Sequence, residues 1–342
     1  MTTRVAAFWA LSSVRQTAVA VAIALTATYS IAYTSLQYVD SDNFGGNSDI
    51  LVYMAIARGE EVEGDVSRES RTLTVWLVKA LPDPPGSVFA AGREVDDEWR
   101  LKFKFAVVNS AFLMGAALLM WLYSRRTGFS VLESYLVMLL FLTSLTVVYQ
   151  GAIPLVDPSS FFFISFGALA IAARRLWLMA AVLAVGLFAK ESVVVIVPLA
   201  LVTVDRRRLW LAGVAILALV PYLVWRLLFG ADESAGLGHL DPDHIRRAIE
   251  IIPNYFRFNV VAEVVAAFGL LWVLALYALV TGRLSGEMRR QYLWVIAVVG
   301  MGVFLATGLG RTLFLTFPVI IPSAVVGVRS LVGRTDPSQA GP

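Results

Sequence analysis

Stretches of about 20 apolar residues recur along the chain, and short charged segments separate them. A helix of this length spans the roughly 30 Å hydrocarbon core of a bilayer. Membrane-spanning strands would alternate polar and apolar residues, and these stretches do not. The pattern therefore predicts an all-α polytopic membrane protein with about ten transmembrane helices. The predicted spans are 17–36, 104–123, 131–149, 159–173, the two arms of a hairpin within 176–204, 209–229, 259–281, 291–307 and 312–328.

The segment 176–204 is predicted to form a hairpin because basic clusters flank it on both sides, Arg174-Arg175 before it and Arg206-Arg207-Arg208 after it. Short basic loops stay in the cytoplasm, and only a hairpin keeps both clusters there. Each arm then has about 14 residues and a length of about 21 Å, which is shorter than the hydrocarbon core. The tip, Lys190-Glu191, lies below the outer membrane surface, where charges need a partner or a polar cavity.

The distribution of charge also predicts the topology. Arg4 and Arg15 precede the first span, so the N-terminus is expected in the cytoplasm. The loop 37–103 is then extracytoplasmic, and it carries thirteen acidic and seven basic residues. A second extracytoplasmic loop, 230–258, follows the seventh span.

The last span ends before Arg329 and Arg334, so the C-terminus is expected in the cytoplasm too. The whole chain, 1–342, is predicted to form one multi-pass domain of the cell membrane without a separate soluble domain.

Composition narrows the class of protein and its possible partners. Of the 342 residues, 58% are hydrophobic and only 15% are charged, with a mean hydropathy of +0.74, which is too apolar for a soluble domain of this length. The net charge of +3 reflects basic loop residues that topology requires, so no nucleic-acid partner is predicted. The absence of cysteine excludes disulfides and thiol chemistry.

The first extracytoplasmic loop contains a predicted short helix over 49–58. Its apolar residues Ile50, Tyr53, Met54 and Ala57 recur at helical spacing, so this face can lie on the membrane surface. Asp49 stands at the start of the helix. Its carboxylate either caps free N–H groups there or faces a cavity as a functional acid.

The predicted topology gathers unusual polar residues on the outer side: the acidic loop, Asp157-Pro158, Lys190-Glu191, residues 239–244 (HLDPDH) and Arg311. A polar cavity that opens outward accounts for all of them. Carboxylates in it can act as a general base, and Lys or Arg can hold a phosphate.

Each of these residues also has a purely structural interpretation. Asp157 suits the positive end of a helix, Lys190-Glu191 suits an ion pair at a turn, and Arg311 suits a helix end at the interface. The segment 239–244 offers two His and two Asp, which suit either a divalent metal or a solvated turn built on Asp-Pro-Asp. No metal site or other cofactor is predicted.

These features together resemble the GT-C class of integral-membrane glycosyltransferases, in which a long first outer loop carries an acidic motif. Asp49, Tyr53 and Ala57 match the spacing of acid, aromatic and small residue in that motif. The acid commonly follows a glycine pair directly, but here the chain reads Gly45-Gly46-Asn47-Ser48-Asp49. That departure leaves Asp40 and Asp42 as rival acids.

Three further segments resemble parts of the same class and cover most of the remaining topology. SRESRTLTVWLVKALP is similar to an Arg-containing segment that leads to a proline, and it holds Arg71. FAKESVVVIVPLAL is similar to a Lys/Arg-Glu hairpin, and it holds Lys190 and Glu191. GRTLFLTFP is similar to the last outer turn, and it holds Arg311.

The resemblance implies an inverting transfer of a hexosyl or pentosyl group from a polyprenyl-phosphate-linked donor, at the extracytoplasmic membrane face, to a lipid, glycan or protein acceptor. It implies that Asp49 serves as base or orients the acceptor. Lys190, Arg311 and Arg71 are then expected to stabilise the leaving phosphate. Glu191 is expected to position Lys190 or a sugar hydroxyl, and Tyr53 to bind substrate.

Three other functions compete with this expectation. A lipid-linked glycan polymerase or ligase would share the donor chemistry. A transporter would place polar residues near the middle of the membrane, on broken helices and internal repeats. A scaffold subunit would have no catalytic residues.

Overall fold

The computed structural model describes residues 14–38, 49–60, 71–84, 96–151, 153–204, 258–304 and 309–333, with parts of 213–224 and residues 246 and 250. These residues form helices and turns, and no strand occurs among them, so the all-α prediction is confirmed. In chain order the helices are α1 Val14–Tyr38, α2 Asp49–Arg58, α3 Thr72–Ala80, α4 Asp97–Arg126, α5 Val131–Leu142, α6 Leu145–Gln150, α7 Asp157–Ala172, α8 Leu176–Gly186, a 3₁₀ helix Glu191–Val195, α9 Ile196–Thr203, α10 Phe258–Phe268, α11 Leu270–Val280, α12 Gly286–Phe304, α13 Leu309–Phe314 and α14 Phe317–Leu331.

Long apolar helices support a bilayer environment for this bundle. By length and composition, the segment Val14–Thr34 of α1 and the whole of α4 can each cross a membrane. A third span results if α10 and α11 count as one bent helix. The structure is therefore consistent with a helical membrane protein.

The prediction of about ten transmembrane helices is not reproduced in the described part of the chain, where two helices, or three with the bent pair, are long and apolar enough to cross a membrane. The predicted span 131–149 is interrupted at Thr143-Ser144, where the side chain of Thr143 donates to the Leu139 carbonyl and Ser144 stands at the N-cap position of α6. α5 and α7 have 12 and 16 residues. At 1.5 Å per residue these helices measure about 18 and 24 Å, less than the hydrocarbon core.

The segment 176–204 folds back on itself. α8 ends at Gly186, and the chain resumes helical structure only at Glu191. Lys190, between them, contacts Asp157 at the start of α7, whereas Thr203 at the end of α9 lines a cavity with Ala172 at the end of α7. The chain thus runs along α7 and returns beside it. Helix α9 accommodates Pro198 because this residue lies in its first turn, where no N–H is required.

A bend of 77° separates α10 from α11, within the segment that is predicted as one span, 259–281. Gly269 stands at the bend with φ 52° and ψ −130°, a backbone conformation that side-chain-bearing residues avoid. The bend brings α10 against α13, and α11 packs along α14.

The apolar face of α2 is buried inside the protein and does not lie on the membrane surface. Ile50, Tyr53 and Met54 are 2%, 0% and 2% exposed. They form a small core with Val75 of α3 and Phe105 of α4, among others. The apolar spacing therefore predicts the helix correctly, but its partner is the bundle. This packing fixes the position of Asp49 at the start of α2.

Candidate functional site

A cluster of charged residues lies at one end of the bundle, with Asp157 at its centre. We call it the charged cluster, and it consists of Asp49, Arg71, Asp157, Lys190, Glu191 and Arg311. Asp157 is the first residue of α7, and it is only 1% exposed. Pro158 follows it in the first turn, where its fixed φ favours the start of a helix.

Two cations hold the Asp157 carboxylate. Lys190 Nζ donates to Oδ1 at 2.6 Å. Arg311 donates from Nε to Oδ1 at 3.1 Å and from Nη2 to Oδ2 at 2.5 Å, which is a bidentate pair. A carboxylate this deeply buried is stable only when it is paired in this way. Asp157 therefore fixes the positions of both cations.

The Asp49 carboxylate is held more loosely than that of Asp157. Its Oδ2 atom lies 3.4 Å from Nη1 of Arg311. The side chain of Asp49 is 23% exposed and that of Arg311 is 39% exposed. Asp49 thus reaches across from α2 to α13, and its contact with Arg311 is the longest and one of the most accessible in the cluster.

The other half of the cluster joins α3 to the tip of the hairpin. Arg71 stands at the N-cap position of α3 and donates from Nε to the Glu191 carboxylate at 2.8 Å. Its Nη1 atom donates to the Tyr53 hydroxyl at 2.9 Å. The Tyr222 hydroxyl donates to Glu191 Oε1 at 2.9 Å. These bonds connect four separate segments of the chain.

Backbone and hydroxyl contacts reinforce the same junction. The Leu73 N–H of α3 donates to the Phe188 carbonyl in the hairpin tip at 3.0 Å. Thr74 Oγ1 and Ser159 Oγ are hydrogen-bonded at 3.0 Å, which ties α3 to α7. The position of Arg71 is thus set by three elements at once.

Burial and neighbouring charges together determine the protonation states of Tyr53 and Arg71. Burial raises the pKa of the Tyr53 phenol to about 12, and the neighbouring Arg71 only partly offsets this effect. Burial alone would lower the pKa of Arg71, but the Glu191 carboxylate and the Tyr53 oxygen outweigh it and raise that pKa above its usual value. At neutral pH Tyr53 is therefore a hydrogen-bonding phenol and Arg71 a permanent cation.

A cavity of about 570 Å³ opens beside the charged cluster, between α2, α6, α10 and α13. We call it the Asp49 cavity. Its lining residues are Asp49, Ile50, Leu145, Thr146, Tyr149, Gln150, Ile153, Leu155, Glu263, Ala266, Ala267, Gly310 and Arg311. A Cβ atom on Gly310 would lie 2.6 Å from the Glu263 carbonyl oxygen, so only glycine lets α13 approach α10 this closely. That approach sets Arg311 beside Glu263 in the cavity wall.

Six of the residues that the sequence singles out meet at this one place. Asp49, Lys190 and Arg311 are linked through Asp157, while Tyr53, Arg71 and Glu191 are linked to one another. The rival acids Asp40 and Asp42 lie outside the described residues, as does the segment 239–244. Within the described ranges, no group of three or more His, Cys, Asp or Glu side chains is arranged to hold a metal.

Sequence reasoning missed two residues of the site, Glu263 and Tyr222, and it placed a third, Asp157, on the outer side without giving it a role in the chemistry. Asp157 is interpreted from sequence as a helix start, but the structure makes it the centre of the cluster as well. The signal was its position on the same predicted side as Lys190 and Arg311. Glu263 has a signal of its own, since it is the only charged residue of an otherwise apolar helix, α10. Tyr222 carries no signal that distinguishes it from other membrane tyrosines.

The cluster is electrically balanced, because its three carboxylates face three cations. Lys190 and Arg71 each hold a carboxylate at 2.6 and 2.8 Å. Arg311 differs, because it is shared between Asp157 and the looser contact with Asp49. An incoming anion can therefore take the place of Asp49 on Arg311 at the smallest cost. The arrangement can bind a phosphate and release a carboxylate in one exchange.

Comparisons of the chain with protein-family models, with curated proteins and with solved structures find no match.

Proposed function

We propose that the protein is a membrane glycosyltransferase of GT-C type. In this proposal it transfers a sugar from a polyprenyl-phosphate donor, with inversion, at the extracytoplasmic face of the cell membrane. The observation that carries the proposal is that Lys190 and Arg311 both bond to Asp157 while Arg311 also contacts Asp49, so that four distant segments of an apolar helical bundle meet. The chemistry needs a base and a phosphate-binding cation side by side, and the Asp49–Arg311 pair supplies both.

The donor phosphate takes the exposed side of Arg311. An oxyanion that accepts from Nη1 replaces Asp49 there, because this 3.4 Å contact is the weakest of the cluster. Arg311 keeps its bidentate bond to Asp157, so it stays in position while it binds the phosphate. Donor binding thereby releases the Asp49 carboxylate from Arg311 at the moment when a base is needed.

The transfer itself breaks the bond between the anomeric carbon and the phosphate oxygen. An acceptor hydroxyl attacks the anomeric carbon from the opposite side, and its proton passes to the Asp49 carboxylate. The electron pair of the broken bond stays on the polyprenyl phosphate, whose added charge Arg311 stabilises, with Lys190 close behind. Arg71, Glu191 and Tyr53 hold the hairpin tip against α2 and α3, which keeps these groups in register.

Substitution of Asp49 by Asn tests the proposal. Asn keeps the size of Asp and caps a helix almost equally well, so the protein should fold and insert normally. Loss of the base should reduce transfer at least about a hundredfold, since general bases typically contribute about 10²–10⁴-fold. The measurement is transfer of a labelled sugar from a polyprenyl-phosphate donor by the purified protein.

Asp40→Asn and Asp42→Asn are the matched controls, and they should leave transfer nearly unchanged. Full transfer by Asp49→Asn, together with loss in one of the controls, would assign the base to the other acid. Activity in all three variants would refute the carboxylate mechanism. A wild-type protein that transfers no sugar from any polyprenyl-phosphate donor would refute the function.

A transporter is the second candidate, and the 77° bend between α10 and α11 favours it, because transporters often contain interrupted helices. The two functions differ in what they require. Glycosyl transfer proceeds in detergent micelles, where no compartments exist, whereas transport is measurable only across a closed bilayer. Turnover of a labelled donor in micelles therefore separates the two candidates.

A further inference from the structure

One side of the Asp49 cavity is lined by hydrogen-bond acceptors that suit hydroxyl groups, and the other side is apolar. Among the described residues of its lining, the carboxylates are Asp49 and Glu263 and the only cation is Arg311, which already bonds to Asp157 and Asp49. The lining therefore carries more acceptors than donors for a ligand. Carboxylates accept hydrogen bonds from hydroxyl groups and repel phosphates, so the Glu263 side of the cavity suits a sugar-like head, whereas Arg311 is the group proposed to bind the donor phosphate.

Two polar side chains of the cavity lining differ in how far a ligand can reach them. Glu263 forms no ion pair with any other described residue, although it lies in a helix that is otherwise apolar. The Gln150 side chain is buried, with the residue only 6% exposed, and its Oε1 atom has no hydrogen-bond partner in the described part of the chain. Unpaired polar groups are costly in an apolar surrounding. A ligand with hydroxyl groups would satisfy the exposed carboxylate of Glu263, whereas the Gln150 Oε1 atom is enclosed by protein.

The rim of the cavity is apolar and exposed. Leu145 and Tyr149 of α6 line the cavity and are 58% and 47% exposed. In a membrane protein such residues face lipid. A ligand therefore reaches the cavity from the bilayer, with an apolar portion that remains in contact with this flank.

We propose that the Asp49 cavity binds the acceptor of the reaction, that the acceptor is a lipid-linked hydroxylated molecule, and that Glu263 holds its head group. The identification of the ligand as the acceptor rests on the proposed function, but the chemical class of the ligand does not. It excludes soluble glycans and folded proteins as acceptors. It also separates the roles of two carboxylates, because Asp49 removes the proton and Glu263 orients a hydroxyl.

The first experiment needs no turnover. Dicyclohexylcarbodiimide is an apolar reagent that adds to carboxyl groups shielded from water, and mass spectrometry of the purified protein in nanodiscs locates the adduct. Dodecyl glucoside, below its micelle-forming concentration, should reduce labelling of Glu263 at least about fivefold. Glucose at the same concentration should not protect, and dodecyl phosphate should protect less than dodecyl glucoside. Glu287, which lines the cavity at the opposite end, is the matched control, and its labelling should not change.

Each other outcome overturns the proposal. Equal protection by glucose would show that the apolar portion is not recognised. Stronger protection by dodecyl phosphate would assign the cavity to the phosphate-bearing donor. Absence of labelling at Glu263 in the free protein would show that its carboxyl does not face an accessible apolar cavity.

The second experiment uses Glu263→Gln in the transfer assay. A hydrogen bond to a charged group contributes about 1.5–3 kcal/mol, so the KM for a lipid-linked acceptor should rise about ten- to a hundredfold. The KM for the donor should stay the same, and kcat should change little. A fall in kcat without a change in acceptor KM would contradict the role of Glu263. If the wild-type protein transfers no sugar but the alkyl glucoside still protects Glu263, the proposed function fails and the ligand class of the cavity stands.

Discussion

Asp157 shows how one buried residue can organise a site without reacting in it. Its carboxylate is almost inaccessible, and both of its oxygens accept bonds from cations. A base must be free to take up a proton, which Asp157 is not, so its role is to position Lys190 and Arg311. The side chain of Asp49 is 23% exposed, and its contact with Arg311, at 3.4 Å, is longer than the contacts that Asp157 makes.

Replacement of Asp157 by Ala should therefore lower stability as well as activity. Lys190 and Arg311 would lose their shared counterion, and breaking a buried pair costs about 3–5 kcal/mol. Thermal unfolding in detergent measures the effect. The double variant Asp157→Ala/Lys190→Met should be more stable than Asp157→Ala alone, because it removes one of the two orphaned charges.

The matched control is Glu60→Gln, which breaks an exposed ion pair with Arg58 at 3.8 Å. Its unfolding temperature should not change, since exposed pairs contribute little. An Asp157→Ala variant as stable as the wild type would contradict the central position of Asp157 in the cluster.

Among the elements, the hairpin tip and the bent pair α10–α11 decide where the site lies. The sequence predicts the hairpin because two basic clusters cannot lie on opposite sides of the membrane. It does not predict the bend at Gly269, because a single glycine within an apolar run is common in membrane helices. It likewise does not predict the break at Thr143-Ser144, since both residues also occur within helices.

The limits of local sequence patterns also explain which site residues the sequence can predict. Asp49, Lys190 and Arg311 stand out because each is a charge beside apolar segments on one predicted side. That Asp157 joins them depends on distances between segments, and no local pattern encodes those distances. The apolar face of α2 is similarly ambiguous, because a buried face and a membrane-surface face have the same spacing.

Gly269→Ala tests the bend at the level of the element. A side chain in this backbone conformation costs about 1–3 kcal/mol, so the variant should unfold at a lower temperature. Because α10 carries Glu263, the acceptor KM should rise as well. Gly300→Ala in α12 is the control, because no atom lies within 4 Å of the added Cβ atom. It should be as stable as the wild type or gain about 0.5–1 kcal/mol. If Gly269→Ala changes neither the unfolding temperature nor the acceptor KM, packing alone sets the angle of the bend.

At the scale of the whole molecule, the two ends of the bundle differ in their charged residues. One end holds the charged cluster and the Asp49 cavity. The other holds a second cavity of about 370 Å³ with Arg126, Arg174 and Glu287 in its lining. Exposed arginines at helix ends are typical of the cytoplasmic side of a membrane protein. We therefore expect the two ends to face opposite sides of the bilayer.

Single cysteines test this expectation directly, because the chain contains none. Glu60→Cys, just after α2, should react with a membrane-impermeant maleimide added to intact cells. Ser285→Cys, which lines the second cavity, should react only in inverted vesicles. Reaction of Glu60→Cys exclusively from the cytoplasmic side would refute the topology and, with it, the extracytoplasmic location of the reaction.

The contact between Asp49 and Arg311 joins residues 262 positions apart. A ribosome adds about 5–20 residues per second, so the first of these residues leaves it on the order of 10–50 s before the second. During that interval Asp157 and Lys190 have already been synthesised, and they can pair with each other. Arg311 is still absent, so neither the phosphate-binding group nor the partner of Asp49 exists. Under the proposed function, a nascent or truncated chain would consequently be inert toward lipid-linked sugars, and activity would begin only when the last helices have been inserted.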